Sequence, residues 1–178
     1  MLAMGIDPGH AICGYGIVES QGSRLVPVHY GAVTTESGLP MAKRLQLINH
    51  ELGRLVKFYK PQITGIEQLF FNKNIRTAIA VAQARGVIML TMAQNDVDIV
   101  EYTPLQVKQA VVGYGKATKE QVMYMTQKLL SLTEKPKPDD AADALAVAIC
   151  TLHSGGWAQL EGGKKCWDVG AGFFPFFS

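Results

Sequence analysis

Leu2-Ala3-Met4-Gly5-Ile6-Asp7-Pro8-Gly9 is an apolar run that stops at an acid and a tight turn, and its reading decides the fold. An aspartate followed by Pro-Gly ends a strand. Two more strand-like runs follow at once, Cys13 to Ser20 and Leu25 to Thr34, separated by Gln21-Gly22-Ser23. Connections this short join antiparallel neighbours, so the three strands form a meander. Met41, Leu45, Ile48, Leu52, Leu55 and Tyr59 then recur at spacings of four and three, which predicts a helix from near Pro40 to just before Pro61.

Beyond that helix, Ile63 to Glu67 reads as a short buried strand, about Asn74 to Gln94 as a long Ala-rich helix, and Asp98 to Tyr102 as a fifth strand. Thr103-Pro104-Leu105-Gln106 and Thr118-Lys119-Glu120-Gln121 are capping boxes that start two further helices. A last apolar helix is expected from about Asp140 to His153. A right-handed crossover sets the fourth strand parallel to its neighbour, and the natural neighbour is the first strand. The expected architecture is α/β, a five-stranded mixed sheet of order 3-2-1-4-5 with helices on both faces. In such sheets ligands sit beyond the carboxyl ends of the parallel strands, where Asp7 and Glu67 both fall.

With 178 residues the chain fits one domain of ordinary size, so one site is expected. Residues 1–154 form that domain, and 155–178 read as a flexible tail of Gly, Lys and aromatics whose apolar end, Phe173 to Phe177, alternatively serves as a docking peptide. Charged residues are only 18% of the chain, below the roughly 25% usual for soluble domains, so some surface is expected to be covered by a partner. A net charge of +2 permits a polyanionic partner but is no basic footprint in itself, so charge placement must carry that argument. Cys13, Cys150 and Cys166 lack C-x-x-C spacing, which speaks against a disulfide framework or a zinc site and for a reducing cytoplasm. No membrane span or leader is read.

The chemistry lies in four acids. Asp7 alone is as consistent with a plain turn residue as with a functional one. Glu67 interrupts an apolar segment, where an unpaired carboxylate costs about 2–7 kcal/mol unless it lies at an exposed strand end. Asp140 alone reads as an N-cap. Asp140 and Asp143, three apart on one helical face, bring like charges within about 5–6 Å, among the small residues Ala141, Ala142, Ala144 and Ala146. If that helix start meets the rim holding Asp7 and Glu67, a cation is required, and hard oxygen donors without His or Cys select Mg²⁺ or Mn²⁺. Such a cluster suits two-metal phosphodiester hydrolysis. Asp7 is then the shared ligand, Glu67 and Asp143 hold separate ions, and Asp140 is a ligand or water-orienting base, with adjacent Asp139 able to replace it in register.

Lys73, Arg76, Lys108, Lys116 and Lys119 fall after strand ends or at helix starts, where a sheet rim meets a phosphate backbone, although each also reads as solvated surface. Phe70 and Phe71 follow Glu67; adjacent strand residues point to opposite faces, so one of them is expected to be exposed beside the acids while the other packs inward. Gly113-Tyr114-Gly115-Lys116 lacks a full phosphate-loop spacing and reads as a mobile basic flap. His10, His29, His50 and His153 have no ligand spacing and read as structural, with His10 near the rim.

Gly5-Ile6-Asp7-Pro8-Gly9, Ile66-Glu67-Gln68-Leu69-Phe70, Gln106-Val107-Lys108-Gln109 and Asp140-Ala141-Ala142-Asp143-Ala144-Leu145-Ala146, in this order, resemble the RuvC family of Holliday-junction resolvases. The resemblance covers roughly Leu2 to His153. It implies a ribonuclease-H-like fold, a homodimer with two active sites, and Mg²⁺-dependent paired nicks across a four-way DNA junction during recombination and repair, alongside the RuvA and RuvB branch-migration proteins. It implies that Asp7, Glu67, Asp140 and Asp143 are the catalytic acids, that Lys108 and Lys119 contact DNA, and that Phe70 sits near the junction centre. The long helix, with Ala78, Ala82 and Gly86 at four-residue spacing, resembles the dimer element, core packing on the sheet being the rival reading of that stripe. His10-Ala11 departs from the family, many members of which carry a small hydroxyl residue there. An actin-like ATP-binding fold would need a second lobe and a second Asp-x-Gly loop, and a junction-binding module without activity would not need Glu67, Asp140 and Asp143 together.

Overall fold

The computed structural model describes residues 1–68 and 75–154, with side chains from Thr77 onward in the second stretch. Three strands, β1 (Leu2–Asp7), β2 (Ile12–Gln21) and β3 (Arg24–Thr34), make the meander, and α1 (Met41–Tyr59) crosses to β4 (Ile63–Glu67). Then come α2 (Ile75–Ala93), β5 (Asp98–Tyr102), α3 (Pro104–Val112), α4 (Lys119–Leu129) and α5 (Asp139–His153). The strand order is β3-β2-β1-β4-β5, with β4 parallel to both β1 and β5, as the crossover argument requires. Pro27 lies on the edge strand β3, where its missing N–H is tolerated, next to an irregularity in the register between Ile17 and Val18.

Both capping boxes form. Thr103 accepts from the Gln106 N–H at 3.2 Å and Thr118 from the Gln121 N–H at 3.4 Å, while each glutamine side chain accepts from the backbone N–H of its threonine at 2.8 Å. α1 stops where Lys60 turns left-handed, and its buried side is Ile48, Leu52 and Val56, with Leu45, Leu55 and Tyr59 partly buried beside them. The buried side of α2 is Ala84, Ile88, Thr91 and Met92. Ala82 and Gly86 are exposed on its other side, so the small-residue stripe does not pack on the sheet.

The two faces of the sheet are built differently. Met4 and Ile6 of β1, Cys13 and Ile17 of β2 and Ile66 of β4 point to α1 and α2 and make an ordinary large-residue core. On the alternate positions β1, β2 and β4 carry Gly5, Gly14, Gly16 and Gly65, and α5 lies directly on them. A Cβ on Gly5 would fall 2.1 Å from the Ala144 carbonyl oxygen, one on Gly14 2.0 Å from that of Asp140, and one on Gly65 2.1 Å from Thr151 Oγ1. The helix answers with its own small residues: Ala141, Ala142, Ala144, Ala146 and Ala148 are all buried. Backbone therefore meets backbone across this interface, with α3 and α4 closing over the outer side of α5 through Val107, Val111 and Val122.

Gly5→Ala places its methyl against helix backbone that no rotamer change can move, so we expect a loss of about 3 kcal/mol or more in urea unfolding. Gly38→Ala meets nothing within 4 Å and should stay within about 0.5 kcal/mol of the parent. Equal midpoints for the two variants would refute the close-packed interface.

Candidate active site

Strand alternation decides where the acids point. Asp7 has the parity of Gly5 in β1 and Glu67 that of Gly65 in β4, so both side chains leave the sheet on the face that α5 covers. Ile6 pairs with Ile66, and each acid is the next residue on its strand, at the carboxyl end of two parallel neighbours. Across the antiparallel pair Asp7 is opposite Gly14, over which the Asp140 backbone rests. The close approach of α5 thus brings Asp140 and, one turn on, Asp143 to the rim that Asp7 and Glu67 already occupy.

The register of the last helix is settled by this contact. α5 begins one residue earlier than expected, with Pro138 as its N-cap and no side-chain cap bond, so Asp140 is a first-turn residue and not a cap. Asp139 is turned to solvent with 66% of its side chain exposed. Asp140 is half-buried next to β2 and its charge reaches Asp7.

Burial pushes the Asp7 carboxyl up from 3.8 to about 7, and the charges of Glu67, Asp143 and Asp140 add to that, in this order. Glu67 is also raised, by burial first and then by Asp143, against the opposing pull of Lys108 and Lys119. Asp7 lies between the others, its strand flanked by β4 with Glu67 on one side and by β2 with Gly14, under Asp140, on the other. Lys119 Nζ donates to Asp143 Oδ2 at 2.9 Å and lies 3.8 Å from Asp139 Oδ2, and that hydrogen bond raises the lysine in turn. Glu67, Asp143, Lys108 and Lys119 line one hollow of about 200 Å³, walled by Val107 and Val147.

An all-carboxylate donor set with a strained proton balance fits a hard divalent cation. Among the described residues, no three His, Cys, Asp or Glu side chains already surround a common point, so the acids share a rim without being closed around an ion.

Two expected cations, Lys108 and Lys119, are therefore at the acids, whereas Lys116 is exposed on the turn between α3 and α4. That turn is packed at its ends: Gly113 caps α3 in a left-handed conformation, Gly115 rests on Leu105, and Ala117 is buried. Phe70, Phe71, Lys73 and the side chain of Arg76 lie outside the described residues, as does the tail 155–178. His29 packs between Tyr15 and Tyr59, His50 pairs with Glu51, and His153 Nδ1 lies 3.0 Å from the Ala110 carbonyl oxygen, consistent with structural roles. The His10 carbonyl accepts from Thr35 Oγ1 at 2.7 Å. The glycine floor, absent from the sequence-based expectations, had one visible signal in Gly14 and Gly16 at alternate positions of one strand.

The raised Asp7 carboxyl makes a prediction about stability. The folded chain holds this proton more tightly than the unfolded chain, so the group costs stability progressively from about pH 4 to about pH 7 and in full above that, on the order of 4 kcal/mol at most. In chelator, Asp7→Asn should melt above wild type at pH 8, the gap should shrink toward pH 4, and Mg²⁺ should raise wild type alone. A pH-independent gap in thermal melts would show that burial of this charge is not its origin.

Among the described helices none is long and apolar enough to cross a membrane. The chain matches the family model "Crossover junction endodeoxyribonuclease RuvC" over residues 3–151. It is 52% identical over 160 residues to the protein of that name from Alkaliphilus oremlandii, covering 90% of this chain and 98% of that one. To the Clostridioides difficile protein of the same name it is 56% identical over 154 residues, covering 86% and 91%. Among solved structures, Thermus thermophilus RuvC in complex with Holliday junction substrate matches with a TM-score of 0.83 at 32% identity, over 86% of this chain and 94% of that one. The yeast mitochondrial Holliday junction resolvase Ydc2, 13% identical with a TM-score of 0.64, shares the fold. A ribonuclease-H-like sheet of this order, four acids gathered at its rim and identities above half across the matched length have one common explanation: the chain belongs to the RuvC family of crossover junction endodeoxyribonucleases.

Proposed function

We propose that this chain resolves four-way DNA junctions by paired symmetric nicks, in homologous recombination and DNA repair, with Asp7, Glu67, Asp140 and Asp143 as its catalytic and metal-holding acids. The observation that carries the reading is the meeting of Asp7 and Glu67, at the carboxyl ends of neighbouring parallel strands, with Asp140 and Asp143 of the helix packed on the glycines of that sheet. Family membership implies a divalent metal. We assign Mg²⁺, with Mn²⁺ able to substitute, and two ions per site. Bound there, the cations supply positive charge against the phosphate oxygens and the leaving oxygen.

The chain's own residues do the rest. Asp7 would be shared between the ions, Glu67 and Asp143 would each hold one, and Asp140 would hold or orient a ligand from the α5 side. Half-burial at the rim keeps these carboxylates oriented and limits the water that competes with the scissile phosphate. Lys108 and Lys119, facing the same hollow, are placed to receive the DNA backbone, and Lys73, Arg76 and Lys116 extend that reading along the rim. Phe70 and Phe71 are proposed to stack on unpaired bases at the junction centre. The Thermus thermophilus complex with Holliday junction substrate supports the choice of DNA.

A four-way junction has two equivalent strands to cut, so two copies of the site are needed. The outer side of α2, with Ile79 56% and Leu90 53% exposed around Gly86, supports a homodimer through this helix. Cooperation with RuvA and RuvB, action in the cytoplasm, and residues 1–154 as the nuclease domain beside a separate tail complete the proposal.

In Mg²⁺, wild type should cut a synthetic four-way junction and spare a linear duplex, and Glu67→Gln should cut at least about 100-fold more slowly while still binding. Comparable cutting by both proteins would sink the site assignment, and preference for linear DNA would sink the junction reading. For the dimer, Gly86→Arg should shift sedimentation from the two-chain to the one-chain mass with little change in melting. A two-chain mass for the variant would dismiss α2 as the interface.

A further inference from the structure

Lys119 is the first residue of α4, and the capping box at Thr118 fixes its backbone, so its position does not depend on a mobile loop. From there its ammonium reaches the second turn of α5 and takes one oxygen of Asp143 at 2.9 Å. The lysine side chain is 51% exposed and that of Asp143 only 29%, so the cation sits on the solvent side of the acid, at the mouth of the hollow shared with Glu67. It gives a partner to an acid whose charge acts on both Asp7 and Glu67. An ion pair this open to water exchanges readily for a stronger cation or a stronger anion.

We infer that Lys119 is the resident counter-ion of Asp143 in the free protein, displaced from it by a divalent cation and drawn outward by a DNA phosphate. The inference rests on the proposed role of Asp143 as a metal-holding acid and extends it to regulation. Before DNA arrives, a metal ion must first break the Lys119–Asp143 pair, which lowers its affinity. A phosphate at the rim offers Lys119 another partner and leaves the Asp143 carboxylate uncompensated and ready for metal. Each ligand thereby favours the other, and linkage makes the coupling equal in both directions. The site is thus discouraged from loading metal, and from acting, away from its substrate. Lys108 lines the same hollow and acts on Glu67 through its field, so it does not duplicate this role.

The test uses the full chain, first without DNA. Calorimetric Mg²⁺ titration should show Lys119→Met binding roughly threefold or more tighter than wild type, Lys119→Arg close to wild type, and Lys57→Met, which removes the same charge from exposed α1, unchanged. Independently of any variant, the ¹⁵N ammonium resonance of Lys119 in wild type should move when Mg²⁺ is added alone, and also when a four-way junction is added alone in chelator. An unmoved resonance in Mg²⁺, or equal Mg²⁺ affinity for Lys119→Met and wild type, overturns the inference. Absence of junction cutting with these metal effects intact would instead overturn the nuclease reading alone.

Discussion

The closeness of α5 to the sheet is the constraint on which the rest of this molecule depends. Sheets and helices ordinarily keep a layer of side chains between them. Here Gly5, Gly14, Gly16 and Gly65 remove that layer on one side and buried alanines remove it on the other. Two carboxylates on a helix can then reach two carboxylates on strand ends. With ordinary side chains in the interface, Asp140 and Asp143 would be lifted away from Asp7 and Glu67, and the four acids would not share one rim. The opposite face, with Met4, Ile6, Ile17 and Ile66 against α1 and α2, provides the usual hydrophobic stabilisation and leaves the α5 face free for function.

The second consequence is electrostatic. Gathering acids where water is partly excluded raises Asp7 to about 7, a cost that the fold accepts and offsets through Lys119 on Asp143 and the field of Lys108 on Glu67. In the proposed function a divalent cation would relieve this repulsion. The same lysines line one hollow with Glu67 and Asp143, so the charges that balance the acids belong to the proposed DNA-binding rim.

Local rules carried much of the fold. Capping boxes at Thr103 and Thr118, the four-and-three spacing of α1, and short turns between β1, β2 and β3 each depend on neighbours in sequence, and all appear as expected. Strand order followed from the handedness of crossovers, a restriction that acts on any chain of this pattern. Less was legible where several registers satisfy the same local pattern. Asp139 and Asp140 are equivalent at the start of a helix until one of them is set beside Gly14, and the Ala78-Ala82-Gly86 stripe suits either a core or an outer surface until α2 turns Ala84 and Ile88 inward.

By itself, then, the sequence determined the elements, their order in the sheet, and that Asp7 and Glu67 end neighbouring parallel strands, because hydrogen-bonding pattern, hydrophobic period and chain handedness are short-range constraints. Only the tertiary structure decided that Asp140 and not Asp139 faces Asp7, that Lys119 rests on Asp143, and that four acids become one electrostatic unit. The physical reason is that charge coupling falls off over a few ångströms. Those ångströms are set by how deeply α5 sinks onto the glycine floor, a property of two surfaces far apart in the chain.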